Sequence, residues 1–175
     1  MNKTTPPESR SSSSRPKIGV LGPHICSPEE RDLGLEVGRE IAKTGAILVC
    51  GGLGGMMEAA SEGAKKNGGL VVGILPGEDA ADANAFVDVS IPTGLGALRN
   101  ALLVRACDAV IAISGGYGTL SEIGFALRLH IPVVGIRTWS VSKDGRIDPG
   151  IVVAETPADA VTKAIRLAIE PPVFR

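Results

Sequence analysis

The chain has 175 residues and a formal net charge of −1, and 44% of its residues are hydrophobic although only 3% are aromatic. This composition supplies enough Val, Ile, Leu and Ala for one buried core. It provides no basic surface for binding nucleic acid or an anionic membrane. No apolar run approaches the roughly 20 residues that span a bilayer.

The three cysteines show no CxxC pattern and no Cys/His spacing typical of a metal site. An odd set of this kind favours a reduced, cytoplasmic setting. Residues 1–16 are rich in Ser and Pro and almost lack apolar side chains. They are predicted to be a disordered tail in front of a single domain, residues 17–175.

Apolar, β-branched segments and helical patterns alternate along this domain. Strands are predicted at residues 17–22, 46–50, 70–75, 109–113, 131–136 and 151–154, and residues 87–91 form a short apolar run. Helices are predicted at residues 28–44, from the turn at 51–58 to about 67, at 97–107, at 123–129 and at 157–169. Residues 142–146 read as a turn or hairpin tip around Asp144-Gly145. This alternation predicts an α/β fold, a Rossmann-like doubly wound parallel sheet in a single domain.

Three turns that contain glycine each follow a predicted strand: Gly22-Pro23, residues 51–55 and residues 115–118. In an open α/β sheet these turns lie along the carboxyl edge, where such folds bind ligands. Three of them on one edge favour a binding site over simple tight turns. We therefore expect a small phosphorylated ligand at this edge.

The richest of these turns is SGGYGTLSE, residues 114–122, between a predicted strand and a predicted helix. Gly115, Gly116 and Gly118 would let backbone N–H groups approach a phosphate closely. A purely structural interpretation is also open, because Thr119 and Glu122 have the spacing of a capping box. The motif does not have the dinucleotide GxGxxG pattern and does not end in Gly-Lys-Ser/Thr.

Three charged residues are candidates for contact with a ligand: Arg99 after the turn at 93–96, and Glu58 and Glu122 beside the glycine turns. Arg99 follows a flexible turn and could hold a phosphate, or it could be a solvated arginine on an apolar helix. Glu122 could accept hydrogen bonds from ribose hydroxyls, or it could stabilise the positive charge that develops when a glycosidic bond breaks. Glu58 could contact another polar edge of the ligand, although capping is its simpler role.

Taken together, SGGYGTLSE, the segment GGLGGMME and the arginine of LGALRN resemble motifs of the LOG (Lonely Guy) family, once labelled lysine decarboxylases. The resemblance implies a Rossmann-like fold, a homodimer or homotetramer, and a nucleoside monophosphate pocket. By this analogy Arg99 and Glu122 would be the catalytic pair of an enzyme. The expected ligand-binding residues are Gly22, Pro23, Gly51, Gly52, Gly54, Gly55, Met57, Glu58, Gly94, Arg99, Ser114, Gly115, Gly116, Tyr117, Gly118, Thr119 and Glu122.

Some positions depart from the enzyme pattern. Ser114 replaces a proline, Asn100 replaces a second basic residue, and the loop at 51–58 is shorter and continues with Glu58. These features, with IPTGLG at 91–96, resemble the branch of molybdenum cofactor carrier proteins. The expectation is a protein that binds this cofactor without turnover and needs no cofactor of its own. The alternative is a LOG-like phosphoribohydrolase that cleaves the N-glycosidic bond of cytokinin nucleoside 5'-monophosphates. No lysine lies in a recognisable pyridoxal phosphate context, so decarboxylation is not expected.

Overall fold

The computed structural model describes residues 15–171. The predicted tail, residues 1–16, falls almost entirely outside this range, as do the last four residues. Pro16 belongs to the described range, directly ahead of the first strand, and its carbonyl accepts a hydrogen bond from the N–H of Ile47 at 2.8 Å.

Seven parallel strands form the main sheet, and a short antiparallel hairpin accompanies it. The strands are β1 (Lys17–Leu21), β2 (Ile47–Cys50), β3 (Leu70–Leu75), β4 (Val89–Pro92), β5 (Ala109–Ile113), β6 (Val133–Ile136), β7 (Ser142–Lys143), β8 (Arg146–Ile147) and β9 (Ile151–Val153). Their order in the sheet is β4-β3-β2-β1-β5-β6-β9, and every neighbouring pair is parallel. This confirms the predicted Rossmann-like doubly wound sheet.

Five helices cover the two faces of this sheet: α1 (Pro28–Lys43), α2 (Met56–Lys65), α3 (Arg99–Arg105), α4 (Tyr117–Arg128) and α5 (Pro157–Ile169). Helices α1, α2 and α5 pack together on one face, and α3 and α4 on the other. None of the helices within residues 15–171 is both long and apolar enough to cross a bilayer.

The core follows the alternation of side chains along the buried strands. In β5, Ile111 and Ile113 belong to the cluster under α1, α2 and α5, whereas Val110 and Ala112 belong to the cluster under α3 and α4. All five residues of this central strand are fully buried. Burial on both faces explains why the strands read as continuous apolar runs in the sequence.

Glycines bring α1 and α2 into direct backbone contact. A Cβ atom at Gly38 would lie 2.0 Å from the carbonyl oxygen of Ala60, and one at Gly63 would lie 2.0 Å from that of Leu35. Such distances are far below van der Waals contact, so only glycine allows the two helices to approach this closely. The helices therefore cross with backbone against backbone at two points.

Two local expectations have clear outcomes. The hairpin tip is confirmed, because Asp144 (φ 52°) and Gly145 (φ 74°) connect β7 and β8 with the paired positive φ of a type I′ turn. The helix expected at 97–107 is shorter, because residues Gly96–Leu98 form a 3-10 turn and α3 begins only at Arg99.

Candidate ligand-binding cleft

The cleft lies where the strand order reverses. The chain proceeds outward from β1 to β4 and returns to place β5 on the opposite side of β1. The loops that follow β1 and β5 therefore diverge and leave a crevice at the carboxyl edge. A cavity of about 540 Å³ occupies it, lined by Val20, Leu21, Gly22, Pro23, His24, Ile25, Gly51, Leu53, Met57, Arg99, Asn100, Gly116, Gly118, Thr119 and Glu122.

One wall of the cleft is the start of α4. Gly116 is the N-cap residue, and because glycine has no side chain the helix lacks a side-chain N-cap hydrogen bond. The capping-box interpretation of Thr119 and Glu122 is thus wrong: both lie buried inside the helix. An uncapped helix N-terminus offers free N–H donors and a partial positive charge to an anion.

The glycines of this turn fall into two kinds. Gly115 has φ 106°, and a Cβ atom there would lie 2.4 Å from the hydroxyl oxygen of Thr119, so the fold itself requires glycine. Gly116 and Gly118 are not among the glycines with positive φ, and a Cβ atom at either would meet nothing within 4 Å in the described part of the chain beyond its own local backbone. Their missing side chains leave open space in the cleft rather than relieving a clash.

The opposite wall consists of the turns after β1 and β2, and its glycines are needed for packing. A Cβ atom at Gly22 would lie 2.4 Å from the Met56 side chain, and one at Gly55 would lie 2.1 Å from the His24 carbonyl oxygen. A Cβ atom at Gly51 would lie 2.5 Å from Nη2 of Arg99. Gly51 therefore leaves the space through which the arginine crosses the floor of the cleft.

An ion pair forms that floor. Nη1 of Arg99 donates to Oε1 of Glu122 at 3.1 Å, and the two residues are only 8% and 7% exposed. The Nε of Arg99 is buried and has no hydrogen-bond partner among residues 15–171. A buried guanidinium N–H without a partner is costly, so the pair is incompletely satisfied as it stands.

The protonation of Glu122 is strongly perturbed. Burial raises its pKa to about 7, and the favourable charge of Arg99 only partly opposes this. Desolvation disfavours the carboxylate more than one neighbouring cation stabilises it. Near neutral pH the carboxyl group can therefore be either charged or neutral, which is the condition for acid or base chemistry.

Asn100 connects the arginine to the glycine turn. Its Oδ1 accepts from Nη1 of Arg99 at 2.6 Å, and its Nδ2 donates to Oγ of Ser121 at 3.1 Å. The Ser121 hydroxyl in turn donates to the Gly118 carbonyl at 2.7 Å. The Arg99 head group is thus fixed to α4 by two routes, directly through Glu122 and through this chain of hydrogen bonds.

The structure brings together about half of the residues expected from the sequence. Those at the cleft are Gly22, Pro23, Gly51, Met57, Arg99, Gly116, Gly118, Thr119 and Glu122. Those that do not line it are Gly52, Gly54, Gly55, Glu58, Gly94, Ser114, Gly115 and Tyr117. Ser114 and Gly115 instead line a second, shallow cleft on the other side of their turn.

Sequence reasoning missed His24, Ile25, Leu53 and Asn100, which also line the cavity. The position of His24 directly after Gly22-Pro23 was an available signal, because every residue that follows a central strand emerges at the carboxyl edge. Within residues 15–171, no group of three or more His, Cys, Asp or Glu side chains could hold a metal ion.

The fold is Rossmann-like, and its cleft at the switch point of the sheet is a candidate ligand site. The model of the SLOG cluster4 family matches residues 15–161, and the chain belongs to this family. An uncharacterised protein of Archaeoglobus fulgidus is 42% identical over 154 residues, which cover 88% of this chain and 97% of the relative.

Two solved structures are also similar over nearly their whole length. The molybdenum cofactor binding protein of the phototrophic bacterium Rippkaea orientalis has a TM-score of 0.80 and 34% identity, covering 89% of this chain and 99% of that one. The Moco carrier protein of Chlamydomonas reinhardtii has a TM-score of 0.79 and 32% identity, covering 90% and 99%.

Similarity to the plant enzymes is more partial. The cytokinin riboside 5'-monophosphate phosphoribohydrolase LOG of Oryza sativa subsp. japonica is 31% identical over 134 residues, which cover 68% of this chain and 51% of the enzyme. The chain thus spans about half the length of this plant relative. The expected relationship to the LOG-like superfamily, near the molybdenum cofactor carrier branch, is confirmed.

Proposed function

We propose that this protein binds a phosphorylated, nucleotide-like ligand in the cleft and acts as a molybdenum cofactor carrier or binding protein. The observation that carries the proposal is the open space at Gly116 and Gly118. Nothing in the described part of the chain demands glycine there, and the space faces an uncapped helix N-terminus. A phosphate group would fill this space and accept hydrogen bonds from the free N–H groups of α4.

The rest of the cleft suits a ligand with one anionic end and a less polar body. Leu53, Met57 and Ile25 provide apolar contacts beside the Arg99–Glu122 pair. The unpartnered Nε of Arg99 is a donor that a ligand oxygen could satisfy. The similar proteins from Rippkaea and Chlamydomonas, described as a cofactor binding protein and a carrier, support a phosphorylated pterin as this ligand.

Co-purification tests this proposal directly. The protein is isolated under anaerobic conditions from cells that make the cofactor, and the bound small molecules are identified by mass spectrometry. The expected result is a phosphorylated pterin at near-stoichiometric amounts in the wild type and its loss in Gly116→Val. A wild-type protein that retains no pterin and does not bind one when it is added would refute the proposed ligand.

The second candidate function is the LOG-like phosphoribohydrolase, and the state of Glu122 favours it. A carboxyl group with a pKa near 7, paired with an arginine at a phosphate site, could assist the departure of a base from ribose phosphate. Release of free base from AMP and from N6-substituted nucleoside monophosphates measures this activity. Turnover that disappears in Glu122→Gln while binding persists would establish the enzyme.

A matched control separates this chemistry from a general change of charge. Glu36 is a partly exposed glutamate of α1 outside the cleft, with a surface ion pair to Arg39. Glu36→Gln removes the same charge and should leave any turnover unchanged. Equal losses in the two variants would mean that Glu122 has no special role.

We also propose that the protein assembles as a homodimer or a dimer-built tetramer through the region of α3. Leu95, Leu98 and Leu102 are 48%, 74% and 44% exposed, next to the Arg99 side of the cleft. A grouped set of exposed leucines is typical of an interface rather than of a free surface. A second copy of the chain would cover them.

A further inference from the structure

The turn at residues 114–116 separates two clefts. The main cleft lies on one side, and a shallower cleft on the other is lined by Glu30, Ser114, Gly115, Arg137, Thr138, Trp139 and Ser140. The Thr138 hydroxyl donates to the Ser114 carbonyl at 2.6 Å, which holds the segment after β6 against the turn. A ligand anchored at the turn could therefore extend to either side.

A pair of aromatic side chains, exposed Tyr117 and partly buried Trp139, marks the second side. Tyr117, the first residue of α4, is 82% exposed, and its ring centroid lies 5.7 Å from that of Trp139 with the planes tilted by 35°. The indole Nε1–H of Trp139 donates to the Gly116 carbonyl at 3.2 Å, so the pair is attached directly to the glycine turn. Exposed aromatic rings beside an anion site are suited to stacking on a planar ring.

The charges of the shallow cleft indicate what kind of group fits. Arg137 and Glu30 both line this cleft, and the Glu30 carboxylate is anchored by the backbone N–H of Ser27 and by the hydroxyl of Ser114. These contacts lower the pKa of Glu30 and keep it ionised. A second phosphate would therefore meet a fixed negative charge, whereas an uncharged ring with polar edges would meet hydroxyl and amide groups.

We propose that Tyr117 and Trp139 form a second subsite for an uncharged planar ring, linked through phosphate to the part of the ligand in the main cleft. This inference rests on the proposed phosphate site at residues 116–119. It assigns to the protein a ligand of the dinucleotide type, with a ring-bearing group on each side of the phosphates. A simple monophosphate would fill only the main cleft.

Trp139 provides a direct probe, because it is the single tryptophan of the chain. Binding of AMP, ADP and diadenosine diphosphate is measured by calorimetry, and tryptophan emission is recorded in the same titrations. Diadenosine diphosphate should quench the emission and bind about tenfold more tightly than AMP, the equivalent of about 1.4 kcal/mol for one stacked base. ADP should bind like AMP, because it adds charge without a ring.

Two variants at one position sharpen the test. Tyr117→Ala should remove the tenfold preference for diadenosine diphosphate and leave AMP affinity unchanged, whereas Tyr117→Phe should behave like the wild type because it keeps the ring. An equal loss of AMP affinity in Tyr117→Ala would mean that the tyrosine only supports the turn, and it would overturn the subsite.

The remaining outcomes distinguish the two proposals. Binding of AMP and diadenosine diphosphate with equal affinity and unchanged emission would refute the ring subsite and leave the phosphate site standing. A full tenfold gain with ADP would assign the preference to charge and would also refute the ring subsite. If none of the three ligands bound, the phosphate site itself would be wrong and the subsite would fall with it.

Discussion

Substituting Gly116 by valine tests the phosphate site more directly than any other change. The φ of Gly116 is −95° and its ψ is −158°, an extended conformation that valine adopts readily. A Cβ atom there meets no atom of residues 15–171 within 4 Å, apart from its chain neighbours. Valine is a poorer N-cap than glycine, so the free energy of unfolding should fall by about 0.5–1 kcal/mol.

The neighbouring position serves as the matched control. Gly115→Ala places a side chain at φ 106° and 2.4 Å from the Thr119 hydroxyl oxygen. The left-handed backbone costs about 1–2 kcal/mol and the overlap about 1–3 kcal/mol. At about 2–4 °C per kcal/mol, Gly115→Ala should thus lower the melting temperature by several degrees, whereas Gly116→Val should lower it by at most about 4 °C.

Ligand affinity, in contrast to stability, should be strongly affected by Gly116→Val. In Gly116→Val the isopropyl group occupies the space in which a phosphate would accept the first N–H groups of α4. Calorimetry with AMP should show a loss of at least about tenfold, the equivalent of one or more charge-assisted hydrogen bonds. A folded Gly116→Val protein with wild-type affinity would place the phosphate elsewhere and refute the reasoning.

Three further predictions concern other parts of the molecule. Lowering the pH through 7 protonates Glu122, whose pKa is about 7, and releases the charge of Arg99. AMP affinity measured by calorimetry should therefore rise as the pH falls, until the phosphate itself protonates at about pH 6. The Glu122→Gln variant should bind AMP tightly across this pH range. A wild-type affinity that does not change across pH 7 would contradict this prediction. Ser27 caps α1 in a reciprocal capping box with Glu30, so Ser27→Ala should cost about 1 kcal/mol in chemical denaturation; an unchanged midpoint would mean that the box adds nothing. Leu98→Asp should give a monomer in light scattering, whereas the control Ile169→Asp, at a residue of α5 that is 65% exposed, should not. A wild-type protein that is monomeric at micromolar concentration would refute the dimer proposal.

Much of the fold could be predicted because its signals are local. The bounds of β3, β5 and α5 match the predicted segments residue for residue. The two strands are continuous apolar runs that end at glycine, proline or polar residues, and α5 has a proline in its first turn; such patterns need no tertiary contact to be recognised. The alternation of strands and helices then restricts the topology to a doubly wound sheet.

The candidate site could be predicted only in part, because its key contacts join distant segments. The spacing of Thr119 and Glu122 fits a capping box, but burial against α3 gives Glu122 a different partner, Arg99, which lies 23 residues earlier in the chain. The capping box that does form is at Ser27 and Glu30. No local pattern distinguishes these two candidate capping boxes, since whether each one forms depends on which side of its helix faces solvent.

The roles of the glycines were also outside the reach of the sequence. Gly115 and Gly116 are adjacent and identical in type, yet one is required by backbone conformation and the other only leaves space. Similarly, Gly55 fits against the His24 carbonyl, although a ligand contact was expected of it. Such distinctions depend on φ and on the neighbours of a missing atom.

The close crossing of α1 and α2 has a consequence for how the cleft can adapt. The loop before α1 contains Pro23 and His24, and the loop before α2 contains Leu53, so the two helices hold one wall of the cleft. Where Gly38 and Gly63 meet the opposing backbone, no side-chain rotamer can change to alter the separation. The other wall, at the start of α4, is held by side chains such as Asn100 and those of Tyr117 and Trp139, which can reorient. Ligands of different size should therefore be accommodated by movement of α3 and the start of α4, with the α1–α2 wall serving as a fixed reference.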